Sequence, residues 1–376
     1  MPDLNNVFDV TIIRYGEIYL KSKPVRKALE KTLEARLRWK LDRSPIAGRY
    51  KMVLRQNIFY LYGALSESLV RTLANTFGVH SVSLAIECQA TIPSIRSAIK
   101  LLKYSFGSFQ PSSYRVTATK DKRVSVSHYT MEYEASSYFP SWKVQLKNPD
   151  FTIHIDAKEH NCYVYAGIIQ GPGGFPYGSQ GKVVALMSKG IDSPVAAWLM
   201  AKRGCKLLLL HLGEDPPDLY KEILESWAGA TISLLTIPFT AFIQHLPQKG
   251  SGSFQCIYCK KSMYITAESI AQKTFALGIA SGENIGQVAS QTLSNLYELT
   301  SSISMPIYRP LLTYDKIEII ALAKTIGTYG IYTHPDCPFV PSQPATSISP
   351  KKRIELNRRM AIKEETMQYL AKILDE

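Results

Sequence analysis

Two short groupings in the 376-residue chain combine residue types and spacings that do chemistry. The first is Ser188-Lys189-Gly190-Ile191-Asp192-Ser193-Pro194, which follows the apolar run 183–187. A buried strand that passes through a short polar loop into a helix, with Ser193 as cap and Pro194 in the first turn, points free backbone N–H groups and a positive helix end at the turn. That arrangement can hold a phosphate. An ordinary strand-to-helix turn has the same outline, and the G-x-x-x-x-G-K-[ST] phosphate loop is absent. The second grouping is Cys256-Ile257-Tyr258-Cys259, which follows Gly250-Ser251-Gly252-Ser253 and is expected to precede a helix. Two thiolates at this spacing reach one ion, as in zinc and iron–sulfur sites, although a complete site needs further ligands. Cys88, Cys162 and Cys205 lie in strand-like surroundings and read as small core residues.

The elements around these groupings fall into two rhythms. The first ninety residues read β-α-β-β-α-β, with strands at 8–13, 50–54, 58–62 and 81–86 and helices at 24–41 and 65–77. This is the ferredoxin-like order. From 93 to about 170 the pattern is helix, strand, helix and two strands, at 114–119, 151–155 and 163–169. Gly171-Pro172-Gly173-Gly174-Phe175-Pro176-Tyr177-Gly178 can continue neither helix nor strand, so a domain boundary is expected there. Beyond it, continuous apolar strands at 183–187, 207–211, 232–237 and 277–280 alternate with helical patterns at 194–203, 219–227, 263–275, 287–299 and 316–325. Strands apolar on both faces predict a doubly wound parallel sheet. The segment 350–374 reads as a charged amphipathic helix or helix pair. The expected division is 1–75, 76–172 and 173–376.

Composition narrows the class. With 45% hydrophobic residues the chain buries cores rather than remaining disordered, and no apolar run approaches the ~18–20 residues of a membrane span. Asp3 and Asp9 interrupt the start where a signal peptide would be basic and then apolar, so a cytoplasmic location is expected. Six cysteines are too few for a disulfide scaffold. The excess of 44 Lys+Arg over 31 Asp+Glu, a net charge of +13, suits a polyanionic partner. Much of it lies in the first half, at Lys21, Lys23, Arg26, Lys27, Lys31, Arg36, Arg38, Lys40, Arg43, Arg49, Lys51, Lys120, Lys122 and Arg123. Helices also need soluble exteriors, so most of these read as a solvated face.

Ser188-Lys189-Gly190-Ile191-Asp192-Ser193 resembles the PP-loop, S-G-G-x-D-S, of ATP pyrophosphatases that adenylate their substrates, with Lys189 in place of a glycine. A lysine held at positive φ there would cost roughly 1–2 kcal/mol; in a relaxed loop its ammonium would add a phosphate contact. The segment 281–292, Ser-Gly-Glu-Asn-Ile-Gly-Gln-Val-Ala-Ser-Gln-Thr, is similar to the second signature of the tRNA 4-thiouridine synthetases (ThiI-like tRNA sulfurtransferases). Arg309-Pro310-Leu311, Ile326-Gly327-Thr328 and the stretch 14–23 fit the same family. Gln145-Leu146-Lys147-Asn148-Pro149-Asp150 resembles its RNA-binding THUMP module. The resemblance implies that Ser188, Gly190, Asp192 and Ser193 hold the ATP phosphates, with Asp192 near Mg²⁺-pyrophosphate. It implies adenosine contacts at Leu186, Met187, His211 and Leu212, and further nucleotide contacts at Lys260, Gly282 and Gln291.

Cys337, within His334-Pro335-Asp336-Cys337-Pro338, matches the family's catalytic cysteine. In several archaeal-type family members without a rhodanese domain the cysteines matching Cys256, Cys259 and Cys337 are associated with a [4Fe–4S] cluster; a Zn²⁺ site with His334 as fourth ligand and three unligated thiols are the alternatives. No rhodanese domain follows the helical tail, so sulfur is expected to arrive as sulfide or from a persulfide protein. The implied activity is ATP-dependent thiolation of a tRNA uridine, expected at position 8, by a possible homodimer. The rivals are a THUMP-type tRNA-binding protein with an impaired ATP site and a sulfurtransferase for another tRNA base.

Overall fold

The computed structural model describes residues 7–63, 66–238, 252–301, 303–332 and 341–348. The segment 350–374, Cys337 and His334 lie outside the described residues. The chain divides into two compact units after Phe175. Among the described residues no helix is long and apolar enough to cross a membrane.

The first unit is built on one eight-stranded sheet. It contains β1 (Val10–Tyr15), α1 (Lys23–Leu41), β2 (Tyr50–Arg55), β3 (Ile58–Gly63), α2 (Glu67–Ala74) and β4 (Val79–Cys88), followed by α3 (Ile92–Ser105), β5 (Tyr114–Lys120), α4 (His128–Ser136), β6 (Phe151–Ala157), β7 (Cys162–Ala166) and β8 (Ile169–Gln170). The strand order is β2-β3-β1-β4-β7-β6-β5, with β8 paired to β4. Gln56 and Asn57, at φ +47° and +64°, make the tight turn between β2 and β3. α1 starts with Pro24 in its first turn, and its i, i+4 stripe of Leu29, Leu33 and Leu37 is buried with Ile13, Phe59, Leu61 and Val82. A second cluster packs Ile95, Ile99, Leu102 and Met131 against Ile153, Ile155 and Val164. Ten-residue β4 joins the two: it pairs with β1 along Val79–Ala85 and with β7 along Ala85–Cys88.

Lys40 departs from the solvated face read in the sequence. It is 5% exposed, and its ammonium donates to the Thr72 and Asn75 carbonyls at the end of α2, at 2.9 and 2.7 Å. Those carbonyls have no intrahelical partner, so the lysine closes a helix end instead of facing an anion. Cys88 and Cys162 face each other across β4 and β7, and Cys205 is half-buried. The partnership with Cys88 and burial hold the Cys162 thiol far above the ordinary range, as expected of packing residues.

The second unit carries a five-stranded, all-parallel sheet in the order β11-β10-β9-β12-β13. The chain runs β9 (Lys182–Met187), α5 (Asp192–Lys202), β10 (Lys206–Leu212), α6 (Asp218–Ala228), β11 (Ser233–Ile237), α7 (Gln255–Lys273), β12 (Ile279–Ala280), α8 (Leu293–Thr300), β13 (Ile307–Tyr308) and α9 (Lys316–Ile326). From β9 the sheet grows toward β10 and β11, then resumes on the other side with β12 and β13. Such a reversal opens a crevice at the carboxyl ends of β9 and β12, which is where α/β sheets take ligands.

Candidate functional site

The loop after β9 occupies that crevice and is organised by its two serines. Ser188 N donates to Ser193 Oγ at 3.0 Å, Ser193 Oγ donates to the Ser188 carbonyl at 3.1 Å, and Gly190 N donates to Ser188 Oγ at 3.2 Å. Ser193 was expected to cap the helix. Instead α5 begins two residues earlier than expected, at Asp192, and its N-cap Ile191 makes no side-chain bond to the first turn. The serine is drawn back to fasten the loop, and the open helix end keeps its positive character.

Lys189 is not strained. Gln56, Asn57, Asn148 and Phe275 are the described non-glycine residues with positive φ, so Lys189 carries none of the cost set out above. Its carbonyl accepts from Tyr220 Oη at 3.2 Å, and its ammonium sits 3.4 Å from Asp215 and over the Tyr332 ring.

A cavity of about 490 Å³ opens beside the loop. Leu186, Met187, Ser188, Asp192, Ser193, His211, Leu212, Lys260, Gly282 and Gln291 line it, together with Lys189, Tyr264 and Glu283. Of the nucleotide positions assigned from the sequence, Gly190 is the one outside its lining. His211 Nδ1 lies 3.0 Å from the Met187 carbonyl and so carries its hydrogen there, which binds the ends of β9 and β10 together. A Cβ at Gly213 would come within 2.4 Å of the His211 ring. A Cβ at Gly282 would meet the Asp192 and Ser193 backbone at 2.9 Å, so the segment after β12 lies directly on the start of α5. Gln291 Oε1 is buried with no hydrogen-bond partner among the described residues.

Charge in the cavity is arranged around Glu283, which is 5% exposed. It accepts from Lys260 Nζ at 3.3 Å, Arg309 Nε at 2.8 Å and Tyr264 Oη at 2.5 Å. Burial alone would raise its carboxyl, but Lys260, the Tyr264 hydroxyl and Arg309 hold it below the ordinary range. Asp192 has two partners of its own, Lys316 Nζ at 2.9 Å and Gln287 Nε2 at 3.1 Å. The sequence reading gave no role to Lys316, Gln287, Glu283, Arg309 or Tyr264. Glu283, Gln287 and Arg309 lie within the quoted motifs, which was the available signal; Lys316 followed no recognised pattern.

Cys256 and Cys259 do not precede a helix: α7 begins at Gln255, so both sit in its first two turns, three residues apart on one face and half-buried. Lys260 follows them on the same helix. Among the described residues no group of three metal-ligating side chains comes together, and the third expected ligand, Cys337, lies outside them. The helix expected over 287–299 begins at Leu293 with Thr292 as its cap, so residues 284–288 are left as loop facing Asp192.

A serine-fastened loop at the switch point of a parallel sheet in one unit, and a ferredoxin-like sheet in the other, define a two-unit α/β protein. Comparison makes this specific. Residues 178–362 match the family model described as thiamine biosynthesis protein (ThiI), and residues 10–83 match the ThiI ferredoxin-like domain. The chain is 33% identical to the probable tRNA sulfurtransferase of Methanothermobacter thermautotrophicus, over 97% of each chain. It is 34% identical to that of Methanocaldococcus jannaschii, over 93% of this chain and 97% of the relative. A crystal structure of a 4-thiouridine synthetase in complex with RNA and ATP superposes with a TM-score of 0.81 and 29% identity, covering 96% of this chain and 98% of that one. The chain belongs to the ThiI family of tRNA sulfurtransferases.

Proposed function

We propose that this protein uses ATP to activate a uridine of tRNA and replaces its O4 with sulfur, giving 4-thiouridine. The observation that carries the proposal is the loop 188–193 at the mouth of the cavity, with the open end of α5 and the Asp192–Lys316 pair beside it. ATP would lie with its phosphates on the loop and its adenine toward Leu186, Met187, His211 and Leu212. Gln291 Oε1 offers an acceptor of the kind an exocyclic amine needs.

In the activation step uridine O4 attacks the α-phosphorus. The O4–P bond forms, the bond to pyrophosphate breaks, and the N3 proton leaves to solvent. The ammonium of Lys316 and the N–H groups of α5 offset charge building on the departing pyrophosphate. Hydrosulfide then adds at C4, and AMP leaves with the former O4. Asp192 retains lone pairs beyond those engaged by Lys316 and Gln287, which suits Mg²⁺ carried in with the nucleotide.

The donor chemistry of α7 fits a soft metal centre: Cys256 and Cys259 present two thiols from one helix face, next to a residue that reaches Glu283. With Cys337 they would hold a [4Fe–4S] cluster, which would supply sulfur at the sulfide level. THUMP character is assigned to 76–172, and the dispersed basic residues other than Lys40 would meet tRNA phosphates. The reading of an impaired ATP site drew on backbone strain at Lys189, and Lys189 has none.

The test is anaerobic incubation of reconstituted protein with an unmodified tRNA transcript, Mg²⁺-ATP and sulfide, read by near-ultraviolet absorbance of 4-thiouridine. ATP-dependent product supports the reading. Tight tRNA binding with ATP hydrolysis but no thiouridine rejects it.

A further inference from the structure

A second cavity, of about 410 Å³, opens beside the first, and its lining includes Asn284, Ile285, Gln287, Tyr314 and Lys316. Asp192 stands between the two: it lines the nucleotide cavity, while both its bonded partners line this one. The volume falls in the range of ~300–1,000 Å³ typical of small-ligand sites. Two buried acceptors here, Gln287 Oε1 and Asn284 Oδ1, have no hydrogen-bond partner among the described residues. Their amide orientations are fixed by what the other end touches. Gln287 Nε2 donates to the Asp192 carboxylate at 3.1 Å, and Asn284 Nδ2 donates to the Tyr314 carbonyl at 3.0 Å. Flipping either amide would set oxygen against oxygen, so the orphaned atoms are acceptors. Leaving them unfilled costs free energy, which a matching donor would recover.

Resting on the function proposed above, we infer that this second cavity holds the acceptor base itself, a uracil turned out of the tRNA stack. Enzymes that react at a base edge take the base out of its helix and read its Watson–Crick edge. Uracil presents N3–H between two carbonyl oxygens. Gln287 Oε1 accepts the N3–H, and Tyr314 lines the same cavity as the base. Cytosine carries a lone pair at N3 and would face Gln287 acceptor to acceptor, so the same atom that receives uracil rejects it. Asp192 thereby links recognition to activation, because the amide it orients is the one that reads the base.

The deciding experiment is photocrosslinking, which needs no turnover. The full-length protein is irradiated with tRNA carrying 5-iodouridine at the acceptor position, and the crosslinked peptide is identified by mass spectrometry. Crosslinks within 284–287 or at Tyr314 are expected; crosslinks confined to other segments, or none, overturn the assignment. Kinetics gives a second reading. Gln287→Ala should lower kcat/KM for thiolation about 10–100-fold, with affinities for a fluorescent ATP analogue and for whole tRNA within about twofold of the parent. A Gln287→Ala enzyme with parental kcat/KM refutes the pocket while leaving ATP-dependent thiolation standing. Absence of thiouridine from the parent refutes the proposed function, and the crosslink still decides the pocket.

Discussion

Lys316 Nζ lies 2.9 Å from Asp192 Oδ1, although 124 positions separate them in sequence. Both residues open helices, Asp192 in the first turn of α5 and Lys316 in that of α9. Two positive helix ends and an ammonium therefore converge on one carboxylate beside the larger cavity. The capping box of Asp315 and Glu318 fixes the start of α9 and so the stem of Lys316.

Removing either member should strike turnover harder than binding. Lys316→Ala is expected to lower kcat for thiolation by about 100-fold, in line with loss of one preorganised electrostatic contact, with a small change in ATP affinity. Single-turnover rates with saturating ATP provide the check; a parental rate would mean the pair is structural.

Lys189→Gly restores the family's loop pattern and should bring no gain in stability. Because Lys189 is unstrained and braced by Asp215 and Tyr332, the glycine adds backbone freedom and costs about 0.5–1 kcal/mol. Thermal melts with and without Mg²⁺-ATP would show a slightly lower Tm and a preserved nucleotide-dependent shift. A higher Tm in the glycine variant would mean that the lysine strains the loop after all.

Glu283→Gln should destabilise the second unit by about 3 kcal/mol, because it leaves Lys260 and Arg309 without their buried counter-charge. Urea denaturation measures this. Replacing Lys260 in the same background should recover part of the loss, whereas purely additive penalties would argue against a coupled network.

His154 supplies a pH dependence in the first unit. Burial, Arg14 and Arg115 lower its pKa to about 4, and its ring stacks on Tyr165 at 4.9 Å. Between pH 6.5 and 4 the unfolded chain takes up the proton that the folded one refuses, so stability falls as pH falls through that window and levels off below it. Discounted for the ring's partial exposure, the loss is about 2 kcal/mol. His154→Phe should flatten this limb of the stability–pH curve; an unchanged slope would place the titration elsewhere.

Cys256→Ala separates activation from sulfur delivery. ATP–pyrophosphate exchange should persist and thiouridine formation should disappear, with reconstituted iron reduced in proportion. Retention of both exchange and thiolation would remove the thiols of α7 from the reaction.

Local signals carried most of the architecture. Pro24 with the leucine stripe announced α1, and the apolar runs ending at Met187 and His211 announced parallel strands, because such patterns depend on residues within one element. The start of α7 was misplaced by eight residues: Cys256, Tyr258 and Cys259 read as a ligand loop, while burial of Ile257 and Tyr258 against the sheet makes them a helical turn. The loop 188–193 was legible as a strand-to-helix turn, but its fastening by Ser193 was not, since a serine before proline reads first as a cap. The partners of Asp192 and Glu283 come from segments about 20 to 120 residues away, and no local pattern says which lysine will arrive.

Strand β4 is a party wall with a tenant on each side. Cut the gene at residue 75 and the ferredoxin-like half loses the strand that covers β1, baring the backbone edge of Val10–Tyr15 and the apolar side chains it screens. Begin instead at residue 89 and β7 loses its neighbour along Ala85–Cys88. Neither half keeps its sheet intact without that strand, so the two must be expressed and unfolded together.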